Sequence, residues 1–272
     1  MNKFFKISCT WALSVITLVF AFVPEASFDG CKLLKDAPYE VNVMINRVLT
    51  FIAVFVIVII VHAIYRCVRR SICIKGHGYN IRIEYGDMLK KDSCKRVINF
   101  DECFTTSVGD EPSDVKRSSI CGQYLVANPI YNMQALIEKA QLKPAKGKSR
   151  YQSKERYESG RLVPNGDDLL MAFAKLDKDG RGCFFSREEF LDCLSILWNE
   201  IDKYYGQKDV CIPILGSGIT RFEDKLLTQQ ELLDIIVASY KLSSYKIKPP
   251  YQLHIVCKKS DDFSLNRVGE KL

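Results

Sequence analysis

Pro213-Ile-Leu-Gly-Ser-Gly-Ile-Thr-Arg221 carries the sharpest chemical signal in the chain. An apolar run ends there in two glycines that flank a small hydroxyl residue. Glycine admits positive φ and lets a ligand come close to the backbone. Successive exposed amides in such a turn form a concave nest for anions. Open α/β sheets collect ligands outside the carboxyl ends of their strands, so this turn suits a phosphate group. The same pattern also describes an ordinary tight turn, and both readings stand at this point.

Other chemistry-bearing residue types are sparse or poorly spaced. Asp177-Lys-Asp-Gly-Arg-Gly-Cys-Phe-Phe-Ser-Arg-Glu188 matches positions one, three, six and twelve of a calcium-binding EF-hand loop. Arg181 at position five puts a cation where an oxygen ligand belongs, so an Asp-Gly hairpin turn leading into a capped helix is the preferred reading. The eleven cysteines form no CxxC pair and there are only three histidines, His62, His77 and His254, so no metal site is expected. Most cysteines lie beside apolar residues, as in Val210-Cys-Ile212, and are expected to be reduced, small core residues. The net charge of +7 suits an anionic lipid surface or a phosphorylated ligand. Without a basic helix or an RNP-like aromatic motif, no nucleic-acid partner is expected.

Regular elements must hold the glycine turn in place. Tyr79–Tyr85 alternates as a strand, and Gly86-Asp87 breaks it. Lys95–Phe100 forms a second short strand, followed by a polar loop over 101–118. Residues 119–128 fit neither template. Ile130–Gln141 has helical spacing. Residues 143–160 are polar and basic and read as an exposed loop or hairpin insertion. Asp168–Lys175 reads as a buried strand. Ser186 with Glu189, and Thr228 with Glu231, have capping-box spacing and start helices that run to about Tyr205 and Leu242. Val210–Leu215 and Gln252–Cys257 complete the strands. This order gives an α/β sheet with helices on both faces.

The N-terminal part is different in kind. Phe4–Val23 is mostly apolar, and Phe51–Val61 contains no polar side chain. A helix needs roughly 20 apolar residues to cross the hydrocarbon core. Two transmembrane spans, about 4–23 and 48–67, are therefore expected within residues 1–70. Lys3 and Lys6 lie at the start of the first span, and Arg66, Arg69, Arg70 and Lys75 lie at and beyond the end of the second. The positive-inside rule then places both termini in the cytoplasm, at the inner membrane. Cleavage of the first span as a signal peptide is the alternative, and it leaves residues 71–272 cytoplasmic all the same.

Three segments resemble macro domains, which bind ADP-ribose, and occur in the macro order. Gly86-Asp87-Met88 resembles the motif whose aspartate accepts from the adenine amino group. Val97-Ile-Asn-Phe100 and the loop beyond resemble the part that holds the distal ribose. Leu215-Gly-Ser-Gly-Ile-Thr220 resembles the loop around the diphosphate. Asn99-Phe-Asp-Glu-Cys-Phe104 and Ser119-Ile-Cys-Gly-Gln123, behind two spans, are similar to the macro-like branch of Thoeris anti-phage systems.

The resemblance implies a macro-like three-layer α/β/α domain with a mixed sheet. It implies that Asp87 and Met88 lie at the adenine, and that Asn99, Thr105 and Thr106 lie near the distal ribose or its adduct. Gly216, Ser217, Gly218, Ile219 and Thr220 would surround the diphosphate, with Arg221 adding charge. It further implies an ADP-ribose-derived signal, in that family a histidine conjugate made from NAD by a partner TIR enzyme, with no cofactor. The expected response is self-association and membrane disruption. Asn99-Phe-Asp-Glu102 and Thr105-Thr-Ser-Val-Gly-Asp110 depart from the macro pattern where catalysis would matter, so a sensor is expected rather than an enzyme. A membrane-tethered ADP-ribosyl hydrolase and a ligand-free scaffold are the alternatives.

Overall fold

The computed structural model describes residues 3–24, 27, 38–183, 186–218, 227–260 and 263–268. The chain divides into two compact units, Met1–Arg69 and Arg70–Leu272. The first consists of helices α1 (Lys3–Phe22) and α2 (Tyr39–Val68). Both are long and apolar enough to cross a membrane, with mean hydropathy of 1.8 over Phe5–Phe22 and 2.8 over the most apolar 18-residue stretch of Tyr39–Val68. α2 begins nine residues before the expected span, because Pro38 presets a helical start and Tyr39–Arg47 is helical without being uniformly apolar. Ser8 and Ala12 of α1 are fully buried, and Ser8 Oγ lies 2.7 Å from His62 Nδ1 of α2. That bond gives each polar group a partner between two mainly apolar helices.

The second unit is built on strands β1 (Ser71–Gly76), β2 (Tyr79–Tyr85), β3 (Cys94–Asp101), β4 (Leu162–Asn165), β5 (Asp168–Leu176), β6 (Gly182–Cys183), β7 (Asp209–Pro213) and β8 (Leu253–Cys257). The sheet order is β1-β2-β8-β7-β3-β5-β4, with β6 paired to β5. β2, β8, β7, β3 and β5 run parallel, while β1, β4 and β6 are antiparallel to their neighbours. Among the described residues, α3 (Ile120–Ala127), α4 (Met133–Lys139), α5 (Arg187–Tyr204) and α6 (Gln229–Leu242) cover it.

Alternation along the strands sorts the core into two layers. Leu169, Met171 and Phe173 of β5 pack with α5 and α6, whereas Leu170 and Ala172 pack with α3 and α4. This double burial is why β5 is a continuous apolar run rather than an alternating one. The fold is the expected three-layer mixed α/β sheet. Both capping boxes form, at Ser186 with Glu189 and at Thr228 with Glu231. Residues 119–128, ambiguous in sequence, form α3, with Ser119 Oγ accepting from the Gly122 amide. Gly122 sits against Lys116, whose carbonyl oxygen would lie 2.2 Å from any Cβ there.

Three strands were not legible in sequence. β1 follows the second span after two residues, so its apolar positions merge with the anchor, and β4 and β6 are only four and two residues long. The cysteine reading also needs correction at one pair. Parallel pairing of β3 and β7 brings Cys94 and Cys211 to a Cα separation of 6.3 Å, and the two are joined in a disulfide.

A buried polar bridge ties three strands together. His254 of β8 lies 2.7 Å from Glu84 of β2 through Nδ1 and 3.0 Å from Asp209 of β7 through Nε2. Glu84 also pairs with Lys91 and with Arg82. Burial raises the Glu84 carboxyl, but hydrogen bonds from His254 and Lys91 outweigh it and hold the pKa below the ordinary 4.5. A depressed folded-state pKa contributes stability that is complete above the unfolded value and is lost as pH falls through the folded one. Glu84→Gln is expected to cost about 1–3 kcal/mol at neutral pH. In urea unfolding the gap from the wild type should close as the pH drops below about 4.

Candidate ligand-binding site

The strand order reverses between β3 and β7. From β3 the chain steps outward to β5, and from β7 it steps the other way to β8. The two connections therefore part above the carboxyl ends of β3 and β7, which is where open sheets leave a crevice. A cavity of about 720 Å³ occupies this place, within the range of small-molecule sites. Its walls come from the ends of four neighbouring strands: Asn99 and Asp101 in the last residues of β3, Leu176 at the end of β5, Gly216–Gly218 after β7, and Val256 and Lys258 at the end of β8 and just past it. Residues of the 110–121 connection line it as well.

The glycine turn after β7 is shaped by its own backbone. Gly216 has φ +80, a left-handed conformation that glycine adopts without strain. Ser217 closes the turn, donating to the Ile214 carbonyl from its amide (3.4 Å) and its hydroxyl (2.7 Å). A Cβ at Gly218 would meet nothing within 4 Å, so the backbone there faces open space. Ile219, Thr220 and Arg221 lie outside the described residues.

The β3 end contributes an unusual polar group. Asn99 Oδ1 is buried and has no hydrogen-bond partner among the described residues. Leaving such an acceptor unsatisfied costs roughly 1–3 kcal/mol, and an orphan of this kind calls for a functional account. Two residues on, Asp101 accepts from the amides of Cys103 (2.8 Å) and Thr105 (3.3 Å). Burial raises its pKa above the ordinary 3.8, and hydrogen bonds from Thr105 and Cys103 oppose that rise only in part. The turn so made holds Phe104 at φ 54, a conformation that bulky residues rarely adopt. Its ring is buried against Phe100 and Tyr157, with centroids 5.9 and 5.5 Å away.

The structure thus brings Asn99, Gly216, Ser217 and Gly218 together in the lining of one cavity. The other expected positions lie elsewhere. Asp87 caps a short 3-10 turn, accepting from the Leu89 amide at 3.0 Å, and is not part of the cavity wall. Met88 is buried in the core layer of α3 and α4. The position of a Cβ on Gly86 lies 3.7 Å from Val256, a wall residue, so Asp87 sits just past the cavity's β8 side. Thr105 holds Asp101 rather than facing the cavity, and Thr106 is half-buried outside it.

Several wall residues escaped the sequence reading. Lys258 is the first residue past β8, and Gln229 is the first residue of α6. The signal available for Lys258 was its place just beyond a parallel strand. The EF-hand-like segment is a turn. Asp177 Oδ1 accepts from the amides of Asp179 (2.9 Å) and Arg181 (2.8 Å), and Gly180 takes φ +81. Among the described residues no cluster of three His, Cys, Asp or Glu side chains is placed to hold a metal.

Comparison with known proteins agrees with this architecture. A family model described as "Thoeris protein ThsA, Macro domain" matches residues 81–258. Thoeris protein ThsA of Bacillus amyloliquefaciens (strain Y2) is 29% identical over 272 residues, covering 94% of this chain and 86% of that protein. Among solved structures, a mutant Oceanobacillus iheyensis macrodomain with ADPR superposes with a TM-score of 0.46 at 10% identity, covering 71% of this chain and 92% of that one. The macrodomain of Thermus aquaticus DarG superposes with a TM-score of 0.38 at 15% identity, covering 66% and 98%. The family match runs from within β2 to the residue after β8, taking in the whole parallel core and every strand end that walls the cavity; the chain belongs to the Thoeris ThsA macro-domain family.

Proposed function

We propose that this chain is a membrane-anchored Thoeris effector whose macro domain binds an ADP-ribose-derived signal. The observation that carries the reading is a buried, unpartnered Asn99 acceptor in a cavity walled by an open glycine turn. A sugar hydroxyl would satisfy Asn99 Oδ1. The diphosphate would lie in the nest of Gly216, Ser217 and Gly218, continued by Ile219 and Thr220, with Arg221 and Lys258 offsetting its charge. The adenine would extend past Val256 toward Asp87 and Met88. Thr105 and Thr106 would stand near the distal ribose or its adduct.

Family membership supports the wider setting. A TIR enzyme would make the signal from NAD, as a histidine conjugate of ADP-ribose. Helices α1 and α2 would anchor the chain in the inner membrane with both termini cytoplasmic. Occupancy would then favour self-association of the domain, and the clustered spans would disrupt the bilayer.

The domain senses the ligand rather than hydrolysing it. Residues 99–102 and 105–110 depart from the macro pattern where catalysis would matter, which supports this reading. The full chain in lipid nanodiscs is expected to release no ADP-ribose from ADP-ribosylated protein; steady release would overturn the sensor reading.

Two substitutions separate binding from folding. Gly218→Val places its side chain in open space, so the melting temperature should hold while ADP-ribose affinity, measured by calorimetry on the full chain, falls roughly a hundredfold, or about 2.7 kcal/mol. Asn99→Leu removes an unsatisfied acceptor and should melt no lower than the wild type, yet bind ADP-ribose about tenfold more weakly or worse. Unchanged affinity in both variants would sink the site.

A further inference from the structure

Residues 143–156 hold six cations and one carboxylate. They contain no helix or strand, yet they are fixed in place. The Ala145 amide donates to the Arg156 carbonyl (2.8 Å), and the Ser149 amide donates to the Lys154 carbonyl (2.9 Å). Left-handed φ values at Gly147, Gln152 and Ser153 turn the chain back on itself. Buried Ser149 donates to Oε1 of buried Glu102 at 2.6 Å, and the same oxygen accepts from the Leu176 amide at 3.2 Å. The segment is thus a hairpin stapled to the carboxyl ends of β3 and β5.

The staple turns one cation inward and leaves the others outside. Arg156 Nη1 lies 3.6 Å from Glu102. The segment's single acid, Glu155, is taken by Lys148 at 3.2 Å. Lys143, Lys146 and Arg150 are exposed, with no carboxylate within ion-pair distance among the described residues. A solubilising loop would need charge only. It would not need a buried glutamate–serine anchor, whose desolvation must be offset by those hydrogen bonds.

The chain enters the domain along this same sheet edge. Ser71 pairs with Glu84 near the carboxyl end of β2, and the Tyr85 amide donates to the Arg70 carbonyl at 3.0 Å. Only Arg69 and Arg70 separate Ser71 from the end of α2 at Val68, a reach of at most about 11 Å. The tether therefore limits how far Ser71 can lie from the end of that span.

We propose that the hairpin 143–156 docks on anionic phospholipid headgroups of the cytoplasmic leaflet, with Lys143, Lys146, Lys148 and Arg150 as its contacts. The proposal rests on α1 and α2 being a membrane anchor and is independent of the ligand assignment. It also gives the ligand cavity a neighbour at the membrane surface. A Cβ at Gly180 would stand 2.7 Å from Ser113 Cβ and 3.0 Å from Tyr151 Cε2, and both Gly180 and Ser113 line the cavity.

The test uses the full chain in nanodiscs of phosphatidylcholine, with or without about 30 mol% phosphatidylglycerol. Amide hydrogen exchange over 143–156 should slow roughly threefold or more in the anionic discs and recover in about 0.5 M salt. The variant Lys143→Gln/Lys146→Gln/Lys148→Gln/Arg150→Gln should lose that lipid dependence while exchange in β3 and β5 stays unchanged. Equal exchange in both discs overturns the docking. So does protection gained in neutral discs on adding an RNA oligonucleotide, which would make the partner a soluble polyanion. Failure of the chain to incorporate into either disc overturns the anchor itself, and the docking with it.

Discussion

Five parallel strands covered on both faces leave the chain few places for polar chemistry. Every side chain along β5 from Leu169 to Phe173 is buried, alternately under α5 and α6 or under α3 and α4. Backbone groups within the sheet are consumed by the ladders. What remains is the carboxyl edge, where the strands stop pairing and the connections diverge. Asn99, the Gly216 turn and Lys258 all lie there.

Two adjacent carboxylates at the end of β3 organise that edge in opposite directions. Asp101 turns toward the cavity and shapes the Cys103–Thr105 backbone. Glu102 turns away and gathers Ser149, Arg156 and the Leu176 amide, closing a second, polar cavity between residues 140–146 and α5. Consecutive strand residues point to opposite sides, and the register shift at Phe100 and Asp101 falls where these roles divide. Phe104 then packs across the junction, against Phe100 of the sheet and Tyr157 of the inserted segment.

Much of this framework was legible from local chemistry. Ser186 with Glu189 and Thr228 with Glu231 start helices by bonds between near neighbours, and spacing alone identifies them. The Gly-Ser-Gly turn was visible for the same reason. Tertiary pairing was not. Cys94 and Cys211 are 117 residues apart and meet only because β3 and β7 are neighbours. The inserted basic segment read as an exposed loop or hairpin, and its anchor was not visible because Glu102 lies 47 residues away from Ser149. The bond from the Thr105 amide to Asp101 is likewise a geometric fact that residue type does not carry.

The site also holds structural cost that folding alone does not recover. An unsatisfied buried acceptor at Asn99 and a left-handed aromatic at Phe104 each oppose the folded state by about 1–3 kcal/mol. Both lie within six residues at the end of one strand. They persist because Asp101 fixes the turn and because Phe100 and Tyr157 enclose the Phe104 ring. A donor that reaches Asn99 Oδ1 recovers the first of these costs, and nothing within the described protein does so. A ligand shifts a conformational equilibrium only by its differential affinity for the two states. The buried Asn99 acceptor, which no described group satisfies, is where such a difference would arise.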